Sequence, residues 1–264
     1  MRVNAAFFFY TAAMTTESPE PNTTDEAAPK RPRGIYLLPN LFTTAALFSG
    51  FYAVLASMDG NFEKAAIAIF VAMILDGLDG RVARATNTQT SFGAEYDSLS
   101  DMIAFGLAPS IMMYEWAMTD LGKLGWLAAF IYTTGAALRL ARFNTQIGTA
   151  DKRFFVGLPS PSAAAILAGA LWVSVDNGLS GHEVAWIMVI LTISAGLLMV
   201  SNILFSSFKQ IDLKGKVPFI TIVGLMIAGA IVVSEPPIVL FGVFMLYVAS
   251  GPVLAAWRWI KKRS

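Results

Sequence analysis

Residues 65 to 101 read AAIAIFVAMILDGLDGRVARATNTQTSFGAEYDSLSD: an unbroken apolar run from Ala65 to Leu75 leads straight into four aspartates and two arginines. Beside lipid, an unpaired charge costs about 3 kcal/mol or more, so this cluster must hold something. Its spacing is Asp-x2-Asp-Gly-x2-Ala-Arg-x8-Gly-x3-Asp-x3-Asp, filled by Asp76, Asp79, Gly80, Ala83, Arg84, Gly93, Asp97 and Asp101.

The apolar run is typical of the chain around it. Hydrophobic residues make up 56% of the 264 and charged residues 14%. That balance excludes an ordinary soluble protein and indicates an all-α, polytopic bundle of membrane helices in a lipid bilayer. There is no cysteine and a single histidine, His182, so a thiolate site is excluded, the usual zinc ligand sets are missing and any metal must take oxygen ligands. The net charge of +1 says little, because in a membrane protein the distribution of Lys and Arg matters more than their sum, and no nucleic-acid partner is expected.

Outward from the cluster the chain divides into a tail and a membrane domain. Residues 1–34 carry a short apolar patch, Ala5 to Ala13, followed by a Thr, Glu, Pro and Asn tract. The patch is too short to span, its single Arg2 makes a poor signal peptide, and Met14 is an alternative start; the segment is expected to be a disordered tail. Residues 35–264 are expected to form the transmembrane domain. Eight apolar stretches follow one another there, at 38–57, 63–84, 94–118, 123–143, 158–176, 183–203, 217–234 and 237–257. From Lys30 to Arg263, the Lys and Arg residues collect at one set of span ends, leaving only Lys64 and Lys123 at the other. By the positive-inside rule both termini and the aspartate-rich stretch then face the cytoplasm. A rise of about 1.5 Å per residue puts Asp76 roughly 16 Å from the outer boundary and Arg84 about 12 Å further on. The aspartates therefore fall inside the inner leaflet of a ~30 Å core.

Asp76 and Asp79 are three residues apart, Asp97 and Asp101 four, so each pair lies along one helix face. The short polar connection from Ala85 to Phe92 makes those helices antiparallel neighbours with the two faces opposed. Four opposed carboxylates repel one another unless cations intervene. Hard divalent ions satisfy an all-oxygen set, and two of them suit phosphoryl chemistry. Gly77, Gly80 and Ala83 leave room for a close ligand or helix, and Arg84 offers a forked donor to a phosphate. Taken singly, each aspartate reads equally well as an ion-pair or ion-pathway residue, each small residue as plain packing. The eight positions together do not.

This pattern resembles the signature of the CDP-alcohol phosphatidyltransferases, membrane enzymes that move a phosphoalcohol group from a CDP-linked donor to an alcohol and release CMP. The resemblance implies that Asp76, Asp79 and Asp97 ligate two divalent cations, Mg2+ or Mn2+, and that Asp101 is both ligand and general base. It further implies that Gly80, Arg84, Thr90 and Gly93 touch the CDP-linked donor. The flanking blocks LLPNLFTTAALFSGF (Leu37 to Phe51), SFGAEYDSLSDMIAFGLAP (Ser91 to Pro109), ALRLARFN (Ala137 to Asn144) and FVGLPSPSAA (Phe155 to Ala164) are similar to those of bacterial integral-membrane phosphatidylserine synthases. That similarity implies CDP-diacylglycerol and L-serine as substrates, phosphatidylserine and CMP as products, and a location in the inner membrane. A homodimer is suggested by the resemblance alone.

Asn40 and Thr43, just after Pro39, either bind the nucleotide or cap the first helix. Arg139 and Arg142 either take the serine carboxylate bidentately or act as inside-facing anchors. Within the same chemistry, glycerol 3-phosphate or an inositol compound is the rival acceptor, which would call for more cationic groups. A membrane prenyltransferase would show a second aspartate-rich motif, and the remaining aspartates, such as Asp59, Asp120 and Asp176, are scattered. An ion transporter with a buried acidic site is the non-enzymatic reading.

Overall fold

The computed structural model describes residues 37–145, 154–206 and 219–263. The tail expected over residues 1–34, the alternative start at Met14, and the cations Lys152, Arg153, Lys209, Lys214 and Lys216 lie outside the described residues. The helices are α1 (Leu37–Met58), α2 (Phe62–Thr86), α3 (Ser91–Asp101), α4 (Ala108–Met113), α5 (Lys123–Thr145), α6 (Ser160–Asp176), α7 (Gly181–Val200), α8 (Phe219–Ser234) and α9 (Pro236–Arg263). At least one of them falls in each of the eight apolar stretches, and the described residues are those of an all-α membrane protein. Among the described residues, four segments are long and apolar enough to cross a bilayer: α1, α5, α7 and Pro236–Trp257 of α9. The others fall short for evident reasons. α2 carries Asp76, Asp79, Arg81 and Arg84, α6 and α8 have 17 and 16 residues, and the third stretch is broken into short pieces.

That break has a cause in the sequence. Pro109 has no N–H to offer the carbonyl of Phe105, four residues earlier, so the α-helical ladder cannot run through it. The backbone widens into a π-helical segment, Met102–Leu107, directly after Asp101. The buried Tyr132 hydroxyl of α5 supplies the missing donor, reaching the Phe105 carbonyl at 3.0 Å.

Helix pairing follows the small residues. α1 and α2 reverse through a three-residue turn at Asp59, Gly60 and Asn61 and pack along their length, with the Ser49 hydroxyl donating to the Ala68 carbonyl at 2.9 Å. α1 runs parallel to α3 and its π-helical continuation: Asn40 lies beside Gly93, Thr43 meets Ser100, and Gly50 lies against Ala104. A Cβ on Gly50 would sit 2.6 Å from the Ala104 Cα, a contact only glycine permits. The buried core is rich in Ala and Met, whereas Phe48, Trp186, Ile187 and Ile190 point outward. Small residues inside and large apolar residues outside suit a bundle solvated by lipid.

Two short strands tie loops together. β1 (Phe154–Val156) pairs antiparallel with β2 (Leu204–Ser206), aligning Phe155 with Phe205. Gly157 then turns with φ +82, donating its N–H to the Ile203 carbonyl at 2.8 Å, and Leu158 N–H reaches the Leu198 carbonyl at 3.0 Å. A side chain at Gly157 would collide with the Met199 carbonyl. The ribbon therefore fixes where α6 begins.

Candidate active site

The α2–α3 turn places the aspartates. Asn87 ends α2 in the left-handed region at φ 51, a conformation its short polar side chain tolerates. Thr90 then N-caps α3, its hydroxyl accepting from the Gly93 N–H at 3.0 Å. α3 packs chiefly on α1, so α2 and α3 approach each other through side chains and not through backbone. One carboxylate oxygen from each of Asp76, Asp97 and Asp101 lies within 4.8 Å of the other two. The two helix faces meet as the spacing predicts.

Asp79 is the most buried of the four, at 6% exposure, and accepts a 2.6 Å hydrogen bond from the Thr43 hydroxyl of α1. Thr43 is held in turn by its backbone carbonyl, which accepts from Ser100 Oγ at 3.1 Å. On the opposite side, Ser98 and Asn144 of α5 exchange hydrogen bonds at 3.1 and 3.3 Å. α3 is thus braced from both flanks at the two residues adjoining Asp97 and Asp101. Asp97 Oδ1 is buried and has no hydrogen-bond donor among the described residues. Three clustered carboxylates with an orphaned oxygen form an all-oxygen donor set that fits hard divalent cations.

The residues expected at the donor nucleotide gather at one end of this cluster. α1 already includes Leu37, so Asn40 and Thr43 stand within the helix and neither caps it. A Cβ on Gly93 would lie 3.1 Å from Thr90 Oγ1 and 3.4 Å from Asn40 Oδ1, which makes a small polar recess at the start of α3. Arg84 is exposed and folds back along α2 over Gly80, where a Cβ would meet its Nη1 at 3.4 Å. Beside Gly77 there is open space.

The structure separates the two acceptor-side arginines. Arg139 is half-buried and stands near Asp101 and Asp76, its Nη1 donating to Ser160 Oγ at 2.5 Å. Arg142 turns to the end of α7, reaching the Ser201 carbonyl at 3.3 Å and Asn202 Oδ1 at 3.4 Å. It anchors α5 to the α7–β2 corner, while Arg139 bonds Ser160 within electrostatic reach of Asp101 and Asp76. Hydrophobic patterning does not point to Ser98, Ser100, Tyr132 or Ser160; for Ser98 and Ser100 a usable signal is a hydroxyl one residue from a fixed aspartate in an apolar chain, whereas Tyr132 and Ser160 carry no such signal.

Comparison with known proteins agrees with this geometry. The family model for CDP-alcohol phosphatidyltransferase matches residues 36–197. A Helicobacter pylori protein named CDP-diacylglycerol–serine O-phosphatidyltransferase is 36% identical over 230 residues, covering 86% of this chain and 92% of the relative. The protein of the same name from Mycobacterium tuberculosis is 30% identical over 241 residues, covering 88% and 84%. An archaetidylserine synthase from Methanothermobacter thermautotrophicus is 36% identical over 168 residues, covering 63% and 68%. A motif with every fixed position filled, a family match across the helices that carry it and relatives aligned over most of their length together make this chain a member of the CDP-alcohol phosphatidyltransferase family.

Proposed function

We propose that this chain transfers the phosphatidyl group of CDP-diacylglycerol to L-serine, producing phosphatidylserine and CMP. The observation that carries the reading is the meeting of Asp76, Asp97 and Asp101 from two helices beside a half-buried arginine, and the names of the relatives support the choice of acceptor. Asp76, Asp79, Asp97 and Asp101 would hold two divalent cations, Mg2+ or Mn2+. When bound, such ions supply charge neutralisation at the diphosphate and at the departing CMP. The chain's own groups do the rest. Asn40, Thr43, Gly80, Arg84, Thr90 and Gly93 receive the nucleotide and its phosphates, and Arg139 takes the serine carboxylate. Asp101 accepts the proton as the serine oxygen forms its bond to the phosphatidyl phosphorus and the bond from that phosphorus to the CMP oxygen breaks. A serine hydroxyl is a poor nucleophile at neutral pH, so this proton acceptor is needed within hydrogen-bond reach.

Residues 35–264 form the catalytic domain in this reading, with eight spans in the inner membrane and the aspartates opening to the cytoplasm. CDP-diacylglycerol then keeps its acyl chains in the inner leaflet while its diphosphate meets the carboxylates. The homodimer rests on family likeness alone, and light scattering of the detergent-solubilised protein tests it. The central test is CMP release by purified protein supplied with CDP-diacylglycerol and, separately, L-serine, glycerol 3-phosphate and inositol. Release that depends on L-serine is expected; release with glycerol 3-phosphate and none with L-serine would overturn the acceptor.

A further inference from the structure

We propose that Ser160 is a positioning residue for acceptor recognition: its buried hydroxyl holds the Arg139 guanidinium in the orientation that receives the carboxylate of L-serine. This inference rests on the serine-transfer reading above and deepens it. Ser160 is 0% exposed and is the first residue of α6, with Pro159 before it and Pro161 after it. Two prolines leave its backbone little freedom. The Gly157 turn and the paired strands set the position of that backbone from the other side. The Ser160 hydroxyl is therefore a fixed acceptor, and Arg139 Nη1 is bonded to it.

The geometry of a guanidinium explains why this matters. Its five N–H donors lie in one plane, so holding Nη1 narrows the directions open to the fork and leaves the other donors for a bidentate carboxylate. Arg139 also stands close to the negative charges of Asp101 and Asp76. Without the Ser160 tether, that attraction would draw the fork onto the carboxylates and away from the acceptor. In serine the carboxylate and the hydroxyl are separated by only two carbons, so an arginine held within electrostatic reach of Asp101 can bind one end while the aspartate faces the other. Ser160 acts through Arg139 and touches neither substrate.

The test compares steady-state kinetics of the parent protein, Ser160→Ala, Arg139→Lys and the double variant, all in detergent micelles with CDP-diacylglycerol. Ser160→Ala is expected to raise the KM for L-serine roughly tenfold, the scale of a lost hydrogen bond to a charged group, with the KM for CDP-diacylglycerol nearly unchanged. In the Arg139→Lys background the same change should add less than about twofold, because the two residues act as one unit. Should the alanine variant not accumulate, Ser160→Cys keeps the volume and weakens the bond, and it is expected to raise the serine KM in the same direction. An unchanged serine KM overturns the inference, as does a rise in both KM values, or an effect that simply adds to that of Arg139→Lys. A parent protein that uses glycerol 3-phosphate and ignores L-serine overturns the acceptor reading, and this inference with it. A parent that uses L-serine while the variants match it overturns only the role of Ser160.

Discussion

Asp97 and Asp101 sit one helical turn apart on α3, yet the proposed chemistry asks different things of them. Asp97 presents a buried oxygen with no donor among the described residues, which suits a metal ligand. Asp101 lies on the side where Arg139 stands and is assigned the proton as well. Replacing each by asparagine separates the roles. Asp101→Asn is expected to lower turnover by about 10²–10⁴-fold, the usual contribution of a general base, and excess Mg2+ or Mn2+ should not restore it. Asp97→Asn should be partly rescued by raising the metal concentration. CMP release titrated with metal reads both, and an Asp101→Asn protein with near-normal turnover would remove the base role while leaving the family membership intact.

At the scale of elements, the widened turn after Asp101 is a consequence of Pro109, and Tyr132 makes it affordable by capping the Phe105 carbonyl. Tyr132→Phe leaves that buried carbonyl without its donor. A loss of about 1–3 kcal/mol follows, read as a lower midpoint of thermal unfolding in detergent; an unchanged midpoint would show that another donor serves the turn. The glycines make a second comparison. Gly50→Val must push α1 from the segment following Asp101, because even a Cβ would lie 2.6 Å from the Ala104 Cα. Overpacking of this kind costs about 1–3 kcal/mol, so both the midpoint and turnover should fall. Gly77→Ala adds a methyl where nothing stands within 4 Å. Its midpoint should hold or rise, helix propensity favouring Ala by about 1 kcal/mol, so that any loss of turnover would report on the substrate path and not on the fold.

For the whole molecule the open quantity is how the helices thread the bilayer. The proposed arrangement of eight spans with cytoplasmic termini would put the α1–α2 turn outside and the α2–α3 turn inside. The chain has no cysteine, so single thiols can be introduced without altering a background. Asp59→Cys is expected to react with a membrane-impermeant maleimide in intact cells, whereas Gln89→Cys should react only after the membrane is opened. The reverse pattern would invert the orientation, and labelling of both from one side would break the span count.

The sequence by itself determined the membrane class, the helical stretches and the four aspartates, because lipid imposes a rule that can be read locally. Apolar runs become helices there, and a charge among them has to be answered by a partner. It could not distinguish Arg139 from Arg142, three residues apart at the same helix end. Nor could it show that Thr43 reaches Asp79 across 36 residues, or Ser160 reaches Arg139 across 21. Those pairings depend on which helix faces meet and on where a glycine turn and a two-stranded ribbon start α6, and hydropathy carries no record of either. Only the tertiary structure sends one arginine to Ser160 and the other to the end of α7, because the partners that divide them lie on elements distant in the chain.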